Sequence, residues 1–165
     1  MVRQHMPRYE STLKQLGPGR THFFCLAISL LNGCRYCILG HARAFELLYF
    51  EKTGTLFPLD EEGLASLHRL DDEGIRAGLD QALEQVQLVG EREDLRRLFE
   101  LRAGGRAPDG DVERRLVHLL QMFAVLNSCG IASGAAPDEA HDPIDKDRAL
   151  FRRYRAAREA AAVGS

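Results

Sequence analysis

Residues 21–50 read THFFCLAISLLNGCRYCILGHARAFELLYF, and this stretch decides the fold class. Its apolar run at 23–31 is compatible with a strand or with a buried helix, because a short uninterrupted run shows no period. Thr21 favours the helix, since its hydroxyl is suited to cap a helix over residues 22–31 that the turn signal Asn32-Gly33 then ends. We therefore expect a buried helix here, followed at once by a second helix.

The rest of the chain also reads as helices separated by turn residues. Asp60 and either Asp71 or Asp72 are predicted to cap two of these helices, and Gly90 is predicted to end the second of them. The expected helices lie at 3–16, 22–31, about 34–50, after Asp60, after Asp71 or Asp72, at 91–102, at 111–126 and at about 145–162, with a loop at 130–143. Alternating β-branched residues are absent elsewhere, so we predict an all-α bundle that forms a single domain over residues 1–165.

Composition narrows the class of protein. The length of 165 residues suits one domain of ordinary size. A formal net charge of −2 argues against general nucleic-acid binding, which usually shows as a basic excess. The longest apolar run has nine residues, whereas a membrane-spanning helix needs about 20, so no membrane partner is expected. We expect a cytoplasmic protein, in which thiols stay reduced unless they are catalytic.

The residues best suited to chemistry are Cys34, Cys37 and His41, at positions i, i+3 and i+7. On a helix this spacing puts all three along one face. Asn32-Gly33 places Cys34 near the helix start, where unpaired amides and the helix dipole favour a thiolate. His41 is positioned to exchange a proton with the Cys37 thiol, and the CxxC pair can close into a disulfide and reopen. The spacing therefore predicts two-electron dithiol chemistry.

Two other interpretations of these residues stay open. The main chemical rival is a structural zinc site with ligands Cys34, Cys37 and His41, and with Cys25 or His22 as the fourth. The chain has no second CxxC and no HxxxH pair, so we expect no bound metal. Alternatively, Cys34 and Cys37 are two small buried residues without a chemical role. We interpret the other two cysteines, Cys25 and Cys129, as packing residues of this kind. His118 is likewise assigned a structural role.

The motif at residues 31–41, LNGCRYCILGH, resembles the signature of the AhpD-like alkylhydroperoxidase family, within the carboxymuconolactone decarboxylase superfamily. The pattern Asn-Gly-Cys-x-Tyr-Cys-x-x-x-His is matched in full, and the preceding apolar helix extends the close resemblance to about residues 21–50. Val125-Leu126-Asn127 loosely resembles part of a later helix of the family. Residues 55–110 are matched only as helical.

This resemblance implies an AhpD-like helical bundle that assembles into trimers or hexamers. It implies a peroxidase or disulfide reductase that acts on a small hydroperoxide or disulfide, binds no cofactor, and is recharged by a lipoyl-bearing partner protein. By the resemblance, Cys37 attacks the peroxide, Cys34 is its disulfide partner, and His41 belongs to the proton relay. The helix-start argument favours Cys34 as the more acidic thiol, so the order of attack stays open.

One position departs from the family pattern. The family usually has a Glu twelve residues before the first Cys, and this chain has His22 there, with no Asp or Glu between residues 11 and 45. His22 can replace that Glu, since imidazole exchanges protons near neutral pH. Alternatively Glu46, Glu51 or an acid from another subunit takes its place. If none does, the chain is a non-catalytic or redox-sensing oligomer.

Overall fold

The structure, a computed structural model, describes residues 2–134 and 143–163. In these ranges it contains eight α-helices and two short 3-10 helices, Leu67–Arg69 and Pro143–Lys146, and no strand. The α-helices are α1 Val2–Leu16, α2 Pro18–Asn32, α3 Arg35–Thr53, α4 Glu61–Ser66, α5 Asp72–Gln85, α6 Val89–Arg102, α7 Gly110–Ser133 and α8 Arg148–Val163. The prediction of an all-α, single-domain fold is confirmed.

Helix α2 lies at the centre of the bundle, packed mainly on α3 and α7. Every residue from Thr21 to Leu30 is buried, so the apolar run forms a helix that is covered on all sides. The predicted start at residue 22 is wrong, because α2 begins at Pro18, a favourable first helical residue. Thr21 is not a cap, since its hydroxyl donates to the Gly17 carbonyl at 2.9 Å from inside the first turn.

The link between α2 and α3 is set by a local hydrogen-bond motif. Gly33 has φ 74°, the left-handed conformation that glycine adopts at low cost. Its amide donates to the Leu30 carbonyl at 3.2 Å, and the Cys34 amide donates to the Ser29 carbonyl at 3.1 Å. This pair of bonds is a Schellman motif, which ends α2 and turns the chain directly into α3. Cys34 consequently becomes the N-cap residue of α3.

Other helix boundaries divide into confirmed and wrong predictions. The Asp60 and Asp71 carboxylates accept from the amides three residues ahead, at 2.7 and 2.8 Å, so both caps are confirmed. Gly90 does not end a helix: α5 ends at Gln85, and Gly90 lies in the first turn of α6. The loop predicted from residue 130 is also wrong in its first part, because α7 continues to Ser133. The remainder of that loop, 135–142, lies outside the described residues.

Helix α8 packs against the outer face of α3. Leu150 is buried with Leu47 and Phe50, on the side predicted to be apolar. The buried carboxylate of Glu46 accepts from the Tyr154 hydroxyl at 2.6 Å and is paired with Arg158. Burial raises the pKa of Glu46 to about 7, although Tyr154 and Arg158 oppose the rise. This polar cluster ties the C-terminal helix to the helix that carries both cysteines.

Helix α7 is the one helix among the described residues that is long and apolar enough to cross a membrane. A third of its most apolar window is buried inside this fold, and core helices of soluble proteins pass the same test. Its apolar face packs against α2, α3, α6 and α1.

Candidate functional site

The two cysteines of the CxxC motif are in contact. Cys34 caps α3 and Cys37 lies in its first turn, and their sulfur atoms are 3.1 Å apart. Both are free thiols, and Cys34 is 1% exposed whereas Cys37 is partly exposed. A disulfide has an S–S bond of about 2.05 Å, so each sulfur needs to move only about half an ångström to form one.

A cavity of about 620 Å³ opens beside this pair, between α1, α3 and α7. Its lining residues are Met6, Tyr9, Tyr36, Cys37, His41, Met122, Phe123, Leu126, Cys129, Gly130 and Ser133. Cys37 and His41 therefore face the cavity together, whereas Cys34 is not part of the lining. The remaining walls are largely apolar, so the cavity suits a small organic molecule with one reactive polar group.

His22 and His41 form a hydrogen-bonded pair, with their Nδ1 atoms 3.0 Å apart. His22 is 2% exposed and lies behind His41, which makes an edge contact with Phe123 at a ring separation of 5.1 Å. One Nδ1 must carry a proton and the other must accept it. When His41 donates, its Nε2 carries no proton and can take one from a thiol. The structure thus brings together all four predicted site residues.

The acidic residues considered as substitutes for the missing Glu lie elsewhere. Glu46 is engaged by Tyr154 and Arg158 on the α8 side of α3. Glu51 is exposed and lines a different cavity, near the start of α2. Within the described part of the chain, the partner of His41 in this pair is therefore a histidine and not a carboxylate.

The environment of Cys37 disfavours its thiolate. Burial raises the pKa of the Cys37 thiol to about 12. The neighbouring Cys34 adds to the rise, first through the hydrogen bond between the two thiols and then because two thiolates in contact would repel. A hydrogen bond from the Asn127 side chain acts in the opposite direction. In the absence of substrate the Cys37 thiol is consequently protonated near neutral pH, and a base has to remove its proton during reaction.

Two residues of α7 reach the dithiol, and sequence reasoning missed both. The Asn127 amide, 1% exposed, is hydrogen-bonded to Asn32 and Ser29, and it acts to lower the pKa of the Cys37 thiol. Gly130 lies so close that a Cβ there would be 2.8 Å from the Cys34 sulfur. One signal was available: Asn127 continues the 3–4 spacing of Leu116, Leu120 and Phe123, so it is a polar residue on an apolar stripe.

The other two cysteines, Cys25 and Cys129, differ in their exposure to solvent. Cys25 is fully buried and hydrogen-bonded to Tyr9, and burial raises the pKa of its thiol, so its packing role is confirmed. Cys129 is exposed and lines the same cavity as Cys37, so the prediction that it packs is wrong. The prediction failed because α7 continues beyond residue 130 and carries Cys129 on its open side. Tyr36 lines the cavity as well.

The zinc interpretation receives no support from the geometry. In the described ranges no group of three or more His, Cys, Asp or Glu side chains is arranged to hold a metal ion. Cys25 is directed at Tyr9, and the two histidines are directed at each other. The ligand set that zinc requires is therefore not assembled.

Comparison of the chain with protein-family models, with curated proteins and with solved structures gives no match. The two sulfurs, the histidine pair and the cavity are therefore the features of the structure that bear on function.

Proposed function

We propose that the protein is a dithiol oxidoreductase that reduces a small organic hydroperoxide, or the disulfide of a partner, with Cys34 and Cys37. One observation carries the proposal: two free thiols lie 3.1 Å apart at the wall of a largely apolar cavity, and one of them faces it. A structural CxxC has no need of a cavity. The resemblance to AhpD-like proteins in residues 31–41 supports the same chemistry.

In the proposed reaction, Cys37 attacks first because it is the thiol that lines the cavity. His41 takes the thiol proton, and the sulfur attacks the terminal oxygen of R–O–OH. The O–O bond breaks, an alcohol leaves with a proton, and Cys37 becomes a sulfenic acid. Cys34 then attacks the Cys37 sulfur, the disulfide forms and water leaves. An external dithiol, which we propose is carried on a lipoyl group, reduces the disulfide by thiol–disulfide exchange.

The histidine pair gives His22 a defined part in this scheme. In the proposed scheme, His22 Nδ1 accepts from His41 Nδ1, which leaves His41 Nε2 unprotonated and able to take the thiol proton. It supplies no negative charge, so the imidazolium that forms on His41 is less stabilised than beside a carboxylate. We therefore expect slower proton transfer than a Glu at this position would allow.

A test of the proposal uses the arginine between the two cysteines. Trypsin cleaves after Arg35, so Cys37 falls alone in peptide 36–43, and Cys34 falls in peptide 21–35 together with the buried Cys25. Treatment of the reduced protein with one equivalent of an organic hydroperoxide should join these two peptides by a disulfide. Dihydrolipoamide should then restore both thiols and sustain peroxide consumption. Cys37→Ser should abolish consumption, whereas the exposed Cys129→Ser should retain it.

A free Cys37 thiol on peptide 36–43 after peroxide treatment would refute the proposal. A second candidate, a redox sensor, is favoured by the protonated state of Cys37 and by His22 at the position where the family usually has a Glu. It predicts that the disulfide forms but that no dithiol donor supports turnover. Assembly into a trimer or hexamer and a cytoplasmic location belong to the same proposal, and light scattering of the purified protein tests the assembly.

A further inference from the structure

A second histidine pair joins α1 to α7. His5 Nδ1 lies 3.1 Å from His118 Nε2, and the centroids of the two rings are 5.2 Å apart. His118 is 3% exposed, and its Nδ1 is buried without a hydrogen-bond partner in the described part of the chain. A proton on that Nδ1 would be buried and unsatisfied, so neutral His118 carries its proton on Nε2 and donates it to His5.

This bond requires both rings to be neutral. A proton added to His5 Nδ1 would set two N–H groups against each other at 3.1 Å, and a proton added to His118 would create a buried cation. Burial lowers the pKa of His118 to about 4, and the neighbouring Arg8 and His5 lower it further because both repel an added charge. Proton uptake by the pair therefore opposes the docking of α1 on α7.

No acidic side chain compensates a charge at this place. Among the described residues, the charged groups that act on His118 are Arg8 and His5, both on α1. Neighbouring charged or titratable groups on α7, and on α2, α3 and α6 packed against it, are engaged in the pairs Asp111–Arg115, Glu113–Arg106, His22–His41 and Arg97–Asp94.

Helix α1 forms one wall of the cavity beside Cys37, through Met6 and Tyr9. His5 lies directly before Met6 and one turn before Tyr9, so the histidine bond holds the part of α1 that covers the cavity. Pro7 lies inside this helix and has no amide hydrogen, so one helical hydrogen bond is missing there. This end of α1 consequently depends on its contact with α7.

We infer that the His5–His118 pair is a pH-sensitive latch that holds α1 over the cavity and releases it when the pair takes up a proton. After release His118 is open to solvent, and Met6 and Tyr9 leave the cavity wall. Between pH 6.5 and about 4 the released state binds more protons than the docked state, so docking is strongest above pH 6.5 and weakens as the pH falls. An effect on peroxide turnover rests on the proposed function, but the movement of α1 does not.

Hydrogen–deuterium exchange of the reduced full-length protein at pH 7 and pH 5 tests the latch. After correction for the intrinsic pH dependence of exchange, the protection of the α1 amides should fall by up to about 20-fold at pH 5. This factor follows from a His118 pKa of 6.5 in the released state and about 4 in the docked state. The amides of α5, which packs on α6 and α2, should keep their protection.

The variant is His118→Gln, which keeps a side-chain donor for His5 and takes up no proton. Its amide oxygen can also turn toward a charged His5, so the protection of α1 should be the same at both pH values. The matched control is His68→Gln, which removes a histidine bound to the Ala65 carbonyl and should behave as wild type. If circular dichroism shows that His118→Gln does not fold, His118→Leu takes its place, because leucine takes up no proton either.

Labelling of Cys37 tests the movement of the cavity wall. Peptide 36–43 contains Cys37 as its only cysteine, so its mass reports this thiol alone. At pH 5, N-ethylmaleimide should modify this peptide several-fold faster in wild type than in His118→Gln, whereas the two rates should agree at pH 7. Rates compared at one pH cancel the titration of the thiol itself.

Equal protection of α1 at both pH values in wild type, or an equal loss in His118→Gln, would overturn the inference. A loss shared by α5 would do so too, because it reports unfolding of the whole bundle. Equal labelling rates at pH 5 would show that α1 does not cover Cys37. A protein that consumes no peroxide but releases α1 at pH 5 would refute the proposed function and retain the latch.

Discussion

Gly130 allows helix α7 to approach the dithiol, and Gly130→Ala should interfere with that approach. The backbone at Gly130 is helical, so alanine there faces no conformational barrier and by propensity alone should stabilise α7 by about 1 kcal/mol. The added Cβ, however, would be 2.8 Å from the Cys34 sulfur and 3.8 Å from the Cys37 sulfur. Ordinary contacts of this kind are about 3.5–4.0 Å, so α7 or the Cys34 side chain has to move by about 1 Å.

Overpacking of a well-packed site costs about 1–3 kcal/mol, which exceeds or cancels the gain in helix propensity. We therefore expect the reduced Gly130→Ala protein to have a free energy of unfolding between equal to wild type and about 2 kcal/mol lower. Displacement of Cys34 should also slow closure of the disulfide. Urea unfolding measures the first effect, and the time course of the linked tryptic peptides under a fixed peroxide concentration measures the second.

Gly90→Ala is the matched control, because Gly90 is also helical and a Cβ there meets nothing within 4 Å. It should raise the free energy of unfolding by up to about 1 kcal/mol and leave disulfide formation unchanged. If Gly130→Ala stabilises the protein as much as Gly90→Ala and oxidises at the wild-type rate, the close approach of α7 has no part in the chemistry.

Three further predictions follow from burial and charge. Exposed Cys129 should react first with a neutral alkylating reagent, Cys37 much more slowly and fully buried Cys25 only on unfolding, as peptide mass spectrometry can check. Burial lowers the pKa of His118 from 6.5 to about 4, so between these two pH values the unfolded chain binds more protons than the folded protein. The free energy of unfolding should therefore decrease by about 3 kcal/mol at most as the pH falls from about 6.5 to 4. In urea unfolding at several pH values, His118→Leu should lack this decrease. His22→Glu should accelerate peroxide turnover by giving His41 an anionic partner, and an unchanged or lower rate in a folded variant would contradict the proposed relay.

Much of the fold follows from local features of the sequence. The caps at Asp60 and Asp71, the left-handed Gly33 and the apolar periodicity depend on residues a few positions apart, so they can be interpreted without tertiary information. The same holds for the shared face of Cys34, Cys37 and His41. The predictions that failed are helix ends at glycine or proline, together with the packing role of Cys129, which lies on α7 beside Gly130. Gly90 and Gly130 have low helix propensity, yet each lies inside a helix, because the packing of α6 and α7 as whole helices outweighs a local difference of about 1 kcal/mol.

Local sequence features therefore account for the all-α class, the helix that begins at the CxxC motif, and the positions of the two thiols and His41 along it. These follow from the period of the helix and the chemistry of short turns, which act over a few residues. The packing of the helices brings His22 against His41, turns Cys37 rather than Cys34 to a cavity, and places Cys129 in the wall of that cavity. The reason is physical: Asn127 meets Ser29 across 98 residues of chain, and no local pattern specifies which helices of a bundle become neighbours.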